Sequence, residues 1–185
     1  LKQLLTNNKG KIMKKFIKLV SIFALALGLS WQAVASGGGD NSGDTRLKDI
    51  AQFNLSDNLG LKGYDPVSYF PEGGGTPLEG SSSLSVDFGG VTYNFANESN
   101  MSLFLDEVAK DNGTNKYEPT YGGWCAYAMG VNGSKVDINP ELFDFTGDRL
   151  NVFADGTRSL WLDDKESLEP SADRRWARIL QRARR

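Results

Sequence analysis

Histidine is absent from the 185 residues and cysteine occurs once, at Cys125. Without histidine, every His-dependent triad or dyad of the hydrolases is excluded. One cysteine excludes an intramolecular disulfide, so the chain is not a disulfide scaffold. A zinc site of the usual Cys/His kind is excluded for the same reason. Nor is there an EF-hand spacing of alternating oxygens with a central Gly and a closing Glu, and acidic pairs such as Asp106-Glu107 and Asp163-Asp164 read as solvated surface. Long apolar runs are also missing, apart from one near the start.

That run has a context. Lys11, Lys14, Lys15 and Lys18 precede an apolar stretch over residues 19–29, and Ala33-Val34-Ala35 follows with small residues. A charged, an apolar and a small-residue region in this order predict a secretory signal peptide over residues 1–35. The apolar part is shorter than the ~20 residues of a membrane span. No cysteine stands at its end, which closes the lipoprotein route. Translation is expected to start at Met13, whose Met-Lys-Lys opening suits a signal peptide. The mature chain is expected from Ser36, with residues 36–46 a flexible Gly/Ser/Asn/Asp leader and residues 47–185 the folded domain. A periplasmic or secreted location follows, with no membrane span in the mature chain.

Basic residues are scarce in what remains. Six of the 21 basic residues lie in residues 1–35, which leaves 15 against 23 acidic ones, a net charge of −8. Six of those 15 are Arg within residues 174–185, so residues 36–173 carry nine basic and 23 acidic residues, net −14. So acidic a body argues against nucleic acid as a partner, because phosphate contacts need Lys and Arg. The Arg-rich tail reads as the solvated face of a terminal helix built on Trp176, Ile179 and Leu180.

Along the domain, Gly63–Pro66 reads as a turn and 67–70 as a short strand. Residues 84–88 and 91–95 flank Gly89-Gly90 and predict a hairpin. Asn97 is a helix N-cap, with Met101, Phe104, Leu105 and Val108 on the inner face and Asn112-Gly113 at the end. Cys125–Met129 opens a short helix, and Asn139-Pro140 is expected to start another. Residues 143–146 and 149–153 flank Gly147-Asp148 as a second hairpin. Residues 155–162 and 171–180 read as closing helices. No internal repeat is visible. Short strands pairing with sequence neighbours predict an α+β domain with antiparallel hairpins and packed helices.

Two octapeptides carry a family resemblance. Gly63-Tyr-Asp-Pro-Val-Ser-Tyr-Phe70 resembles the opening signature of exported YHS-domain proteins, and Tyr121-Gly-Gly-Trp-Cys-Ala-Tyr-Ala128 resembles their Gly-Gly/Cys-Ala segment. Val91–Ala96 and Ala172–Trp176 resemble further family segments, in the same order. The resemblance implies a compact α+β core related to treble-clef-like metal-binding domains, in the single-domain periplasmic branch, which counts selenoproteins among its members. It implies a metal ion or small ligand, and brings copper into view because YHS domains occur beside copper-transporting ATPases. This chain departs from the wider family in lacking the Tyr-His-Ser triplet and in having one Cys where metal-binding members often have two.

Cys125 therefore carries three readings. It can be a buried small hydrophobe, a redox thiol that needs an outside partner, or, with the Met129 thioether one turn on, a soft-metal ligand of the copper type. Tyr64, Asp65, Tyr69, Tyr121, Trp124 and Tyr127 are candidates to line a ligand pocket; as core and turn residues they need no function. An envelope protein partner for the acidic surface completes the expectations. No catalytic residue is identified, and a binding role stands ahead of an enzymatic one.

Overall fold

The computed structural model describes residues 46, 48–110 and 115–185. These all fall in the second of two units into which the chain divides, Asp40–Arg185. The expected signal peptide and nearly all of the leader lie outside the described residues, as does the helix end expected at Asn112-Gly113.

The domain is α+β. Its elements are β1 (Ser81–Phe88), β2 (Val91–Phe95), α1 (Glu98–Val108), α2 (Ala126–Asn132), β3 (Asn139–Thr146), β4 (Arg149–Phe153), α3 (Arg158–Asp163) and α4 (Lys165–Ala183). β1–β2 and β3–β4 form two separate antiparallel pairs. Among the described residues, no helix is long and apolar enough to cross a membrane.

Contrary to the sequence reading, the domain is an internal repeat. β1 pairs with β2 as Ser81↔Phe95, then after an irregularity as Ser85↔Asn94 through Phe88↔Val91. β3 pairs with β4 as Asn139↔Phe153, then Phe143↔Val152 through Thr146↔Arg149. The two registers are the same when shifted by 58 residues. Before each hairpin stands a short 3₁₀ turn, Gly60–Gly63 or Thr120–Gly123, whose second and third residues both take positive φ. Leu61 and Lys62 (φ 51° and 54°) match Tyr121 and Gly122 (53° and 61°), 60 residues on. Each turn also sends one parallel bridge to its own hairpin, Leu59↔Thr92 and Pro119↔Leu150. Few side chains survive across the repeat: Gly63/Gly123, Leu84/Leu142, Gly89/Gly147, Phe95/Phe153 and Ala96/Ala154. Backbone conformation and register are shared while most packing residues differ, which hides the repeat from a reading by residue type.

Aromatic packing joins the halves. Phe104 of α1 is fully buried, with Tyr93, Phe95 and Phe88 at ring-centroid distances of 5.2, 5.3 and 5.9 Å. From the first half, Tyr69 and Phe70 reach the second-half strand, at 5.1 Å from Phe143 and 4.8 Å from Phe145. Edge-to-face pairs of this kind add about 0.5–1.5 kcal/mol each beyond area burial.

Three local expectations are corrected. Val67–Phe70 is a turn, because the Asp65 carboxylate accepts from the backbone N–H of Val67 at 2.8 Å and curls the chain. Asn139-Pro140 opens β3 instead of a helix: Asn139 pairs with Phe153, and Pro140 sits on an edge where its missing N–H is harmless. Leu105 faces solvent at 41% exposure while Phe104 is the buried anchor of α1. The closing helix is also longer than expected. It starts at Lys165 and carries Pro170 inside.

A strap over residues 48–55 crosses the Gly122 turn. Asn54 donates its backbone N–H to Gly122 O at 2.8 Å, and Phe53 packs 5.9 Å from Trp176 of α4. Gly122 is needed there: its φ is 61°, and a Cβ would lie 2.7 Å from Phe53 Cδ1. The far end of α4 is tied to the same strap, with Arg184 donating to both Asp49 oxygens at 2.8 and 2.6 Å.

Candidate functional site

Cys125 is the N-cap residue of α2 and is completely buried. Its Sγ lies 3.3 Å from Thr157 Oγ1 at the start of α3. Thr157 Oγ1 also donates to Ala154 O at 2.8 Å. A hydroxyl has one hydrogen, so with that hydrogen on Ala154 O the thiol is the donor to Thr157 Oγ1. Among the described residues no cationic or acidic side chain hydrogen-bonds to the thiol. Met129 follows one turn along α2, also completely buried, with its N–H on Cys125 O at 3.0 Å.

Asp65 occupies the matching place in the first half and is likewise completely buried. Its Oδ1 accepts from Val67 N at 2.8 Å and Ser68 N at 3.3 Å. Its Oδ2 accepts from Ala96 N at 3.0 Å and Asn100 Nδ2 at 2.7 Å. Four donors saturate the carboxylate, and none is a cation. The backbone agrees too: Asp65 N donates to Leu78 O and Cys125 N to Val136 O, at 2.8 and 3.0 Å. In each half the backbone of this residue ties the turn to the chain just before the hairpin, and its side chain ties it to the chain just after.

The aromatic candidates do not converge on one pocket. Tyr69 is buried and donates to Pro140 O at 2.8 Å, and burial pushes its phenol far above the usual range. Tyr121 is also buried, with its hydroxyl donating to Asp173 Oδ1 at 3.1 Å; burial again raises it strongly, and the Asp173 charge adds to that. Trp124 donates Nε1 to Gln52 O on the strap at 2.7 Å. Tyr64 is half-buried beside Glu79, and Tyr127 is half-buried against the core. A small recess does exist elsewhere, bounded by Phe53–Leu55, Gly60-Leu61 and Gly122-Gly123. It holds about 10 Å³, the room of a single water. No candidate aromatic lines it.

For a metal, the donors are sparse. Among the described residues no three His, Cys, Asp or Glu side chains come together. A soft ion at Cys125 would have the two sulfurs of Cys125 and Met129 as its soft donors.

The sequence reading missed Thr157 and Asn100, the partners that fix Cys125 and Asp65. It also missed the cluster around Tyr121, where Arg149 donates to Glu169 at 2.9 Å and to Asp173 at 2.6 Å. These residues lie 20 or more positions from their partners and carry no local motif. No protein-family model, curated protein or solved structure matches the chain.

Proposed function

We propose that this chain is an exported YHS-like binding domain without catalytic chemistry of its own, in which Cys125 and Asp65 are framework residues. One observation carries the proposal: both side chains are fully buried, occupy equivalent places in the repeat, and have their hydrogen-bonding capacity used inside the domain. The family assignment rests on the two octapeptides, which supply these two residues. Export rests on the charged, apolar and small-residue order of residues 11–35. With its reactive groups enclosed, the domain acts through its acidic surface, and an envelope protein is the partner class that fits.

Thiol labelling of the folded protein tests the framework role. A Cys125 that reacts only on unfolding supports it; reaction at the rate of a free thiol overturns it. N-terminal sequencing of the exported protein tests the other half, with Ser36 as the expected first residue.

A second reading keeps a copper-type ion on Cys125 and Met129. It is favoured by the position of both sulfur residues in the interior, one helical turn apart. Copper titration separates the two: uptake lost in both Cys125→Ser and Met129→Leu favours the metal, and uptake no greater than that of Cys125→Ser excludes it. A redox role for Cys125 needs an outside partner to reach the sulfur, and burial disfavours it.

A further inference from the structure

The charges of α3 and α4 sort into two groups. One group is engaged by partners elsewhere in the domain. Arg158 and Lys165 each lie 3.7 Å from the Asp144 carboxylate. Glu169 and Asp173 take Arg149, and Arg184 takes Asp49. Arg175 donates to the carbonyl of Gly130. The other group is exposed and has no ion-pair partner among the described residues: Asp163, Asp164 and Glu166 at one end, and Arg174, Arg178, Arg182 and Arg185 at the other. Arg174 makes only a hydrogen bond to Ser171 Oγ, at 2.9 Å.

These unpaired groups have an order. Glu166, Pro170, Arg174, Arg178 and Arg182 recur every four residues and form one ridge of α4. The ridge is acidic where α4 begins, neutral in the middle and basic over its last about 12 Å. The helix dipole favours acids at the start and bases at the end, but its influence fades within one turn. Arg174 and Arg178 lie further inside than that. The opposite face of α4 is committed: Leu168 packs on Gly130, and Trp176 packs on Phe53. The exposed ridge thus has no apolar side to lay into a bilayer. A wholly anionic partner would meet repulsion at the Asp163–Glu166 end.

We infer that this face docks onto the same face of a second copy of the chain, with the two α4 helices antiparallel. A two-fold axis level with Ala172 sets Arg178 opposite Glu166 of the second copy, each six residues from the axis. The same axis brings Arg182 toward Asp163 and Asp164 of that copy. Each contact occurs twice, as an isologous interface requires. Leu160 and Leu162 of α3, 45% and 41% exposed, stand beside these acids. Pairs between exposed side chains are individually weak, so the dimer is salt-sensitive and forms at high protein concentration. The inference rests on the surface of α3 and α4 and is independent of the role given to Cys125.

Sedimentation of the full chain tests it. A concentration-dependent dimer is expected at about 0.01 M ionic strength, dissociating at about 1 M. Arg178→Glu should weaken association by about tenfold or more, with helical circular dichroism unchanged because Arg178 is exposed. The double variant Glu166→Arg/Arg178→Glu exchanges the charges and should restore the dimer. A wild-type chain that stays monomeric at low salt overturns the inference. So does a dimer untouched by Arg178→Glu, or a double variant no stronger than the single one.

Discussion

Asp65 and Cys125 stand at equivalent positions in the two halves of the domain, 60 residues apart, each fully buried and each bonded to the chain just beyond its own hairpin. The first half uses a carboxylate with four donors, the second a thiol with one hydroxyl. Their contributions to stability should therefore be unequal. Asp65→Ala leaves two or three buried N–H groups and the Asn100 amide without an acceptor, at a cost of about 3 kcal/mol or more. Cys125→Ala loses one weak hydrogen bond and a small volume, about 1–2 kcal/mol. Urea denaturation of the two variants measures the difference.

The strap over Gly122 gives a second contrast. Gly122→Ala combines positive φ with a Cβ 2.7 Å from the Phe53 ring, whereas Gly147, at φ 59°, has nothing within 4 Å of its Cβ position. Gly147→Ala should cost about 1 kcal/mol, the conformational penalty alone. Gly122→Ala should cost about 1–3 kcal/mol more, because the strap must shift. Thermal melts of both variants give the comparison directly.

Acid should erode stability through Glu72. Its carboxylate accepts from Lys116 Nζ at 2.6 Å and Tyr117 Oη at 3.1 Å, and the Lys116 bond is the main cause that holds it below its ordinary value of 4.5. A carboxyl lowered on folding contributes stability that is present above the unfolded value and lost as pH falls through the folded one. Unfolding free energy should decline below about pH 4.5, and Glu72→Gln should flatten that decline. The pair is well exposed, so the effect is modest.

Alkali should act through the tyrosines. Burial raises Tyr69, Tyr93 and Tyr121 above the ordinary phenol value of 10.0. An acid raised on folding contributes stability that is lost as pH climbs past the unfolded value. Stability should therefore fall from about pH 10 upward. Tyrosinate absorbance should rise in step with unfolding; titration of these phenols in a still-folded protein would contradict their burial.

Local chemistry made much of the fold legible. The Gly89-Gly90 and Gly147-Asp148 turns located both hairpins, Asn97 capped α1 as expected by accepting from Asn100 N at 2.9 Å, and Cys125 opened α2. Where the sequence misled, a tertiary partner decided. Pro140 looked like a helix start, but Phe153 claims its neighbour Asn139 for the sheet. Tyr64, Tyr69, Tyr121, Trp124 and Tyr127 look like one cluster in the text of the chain, yet the hydroxyls of Tyr69 and Tyr121 and the indole N–H of Trp124 are bound to β3, α4 and the strap respectively. The repeat was invisible because it resides in positive φ angles and strand register, which different side chains satisfy.

The decisive measurement is the rate of Cys125 labelling by a thiol reagent across a denaturant series, set beside equilibrium unfolding of the same protein. A framework cysteine should give a free energy of exposure equal to that of global unfolding, with the same denaturant dependence. Labelling in the absence of denaturant at a rate near that of an unfolded chain would show an accessible thiol and contradict the framework role.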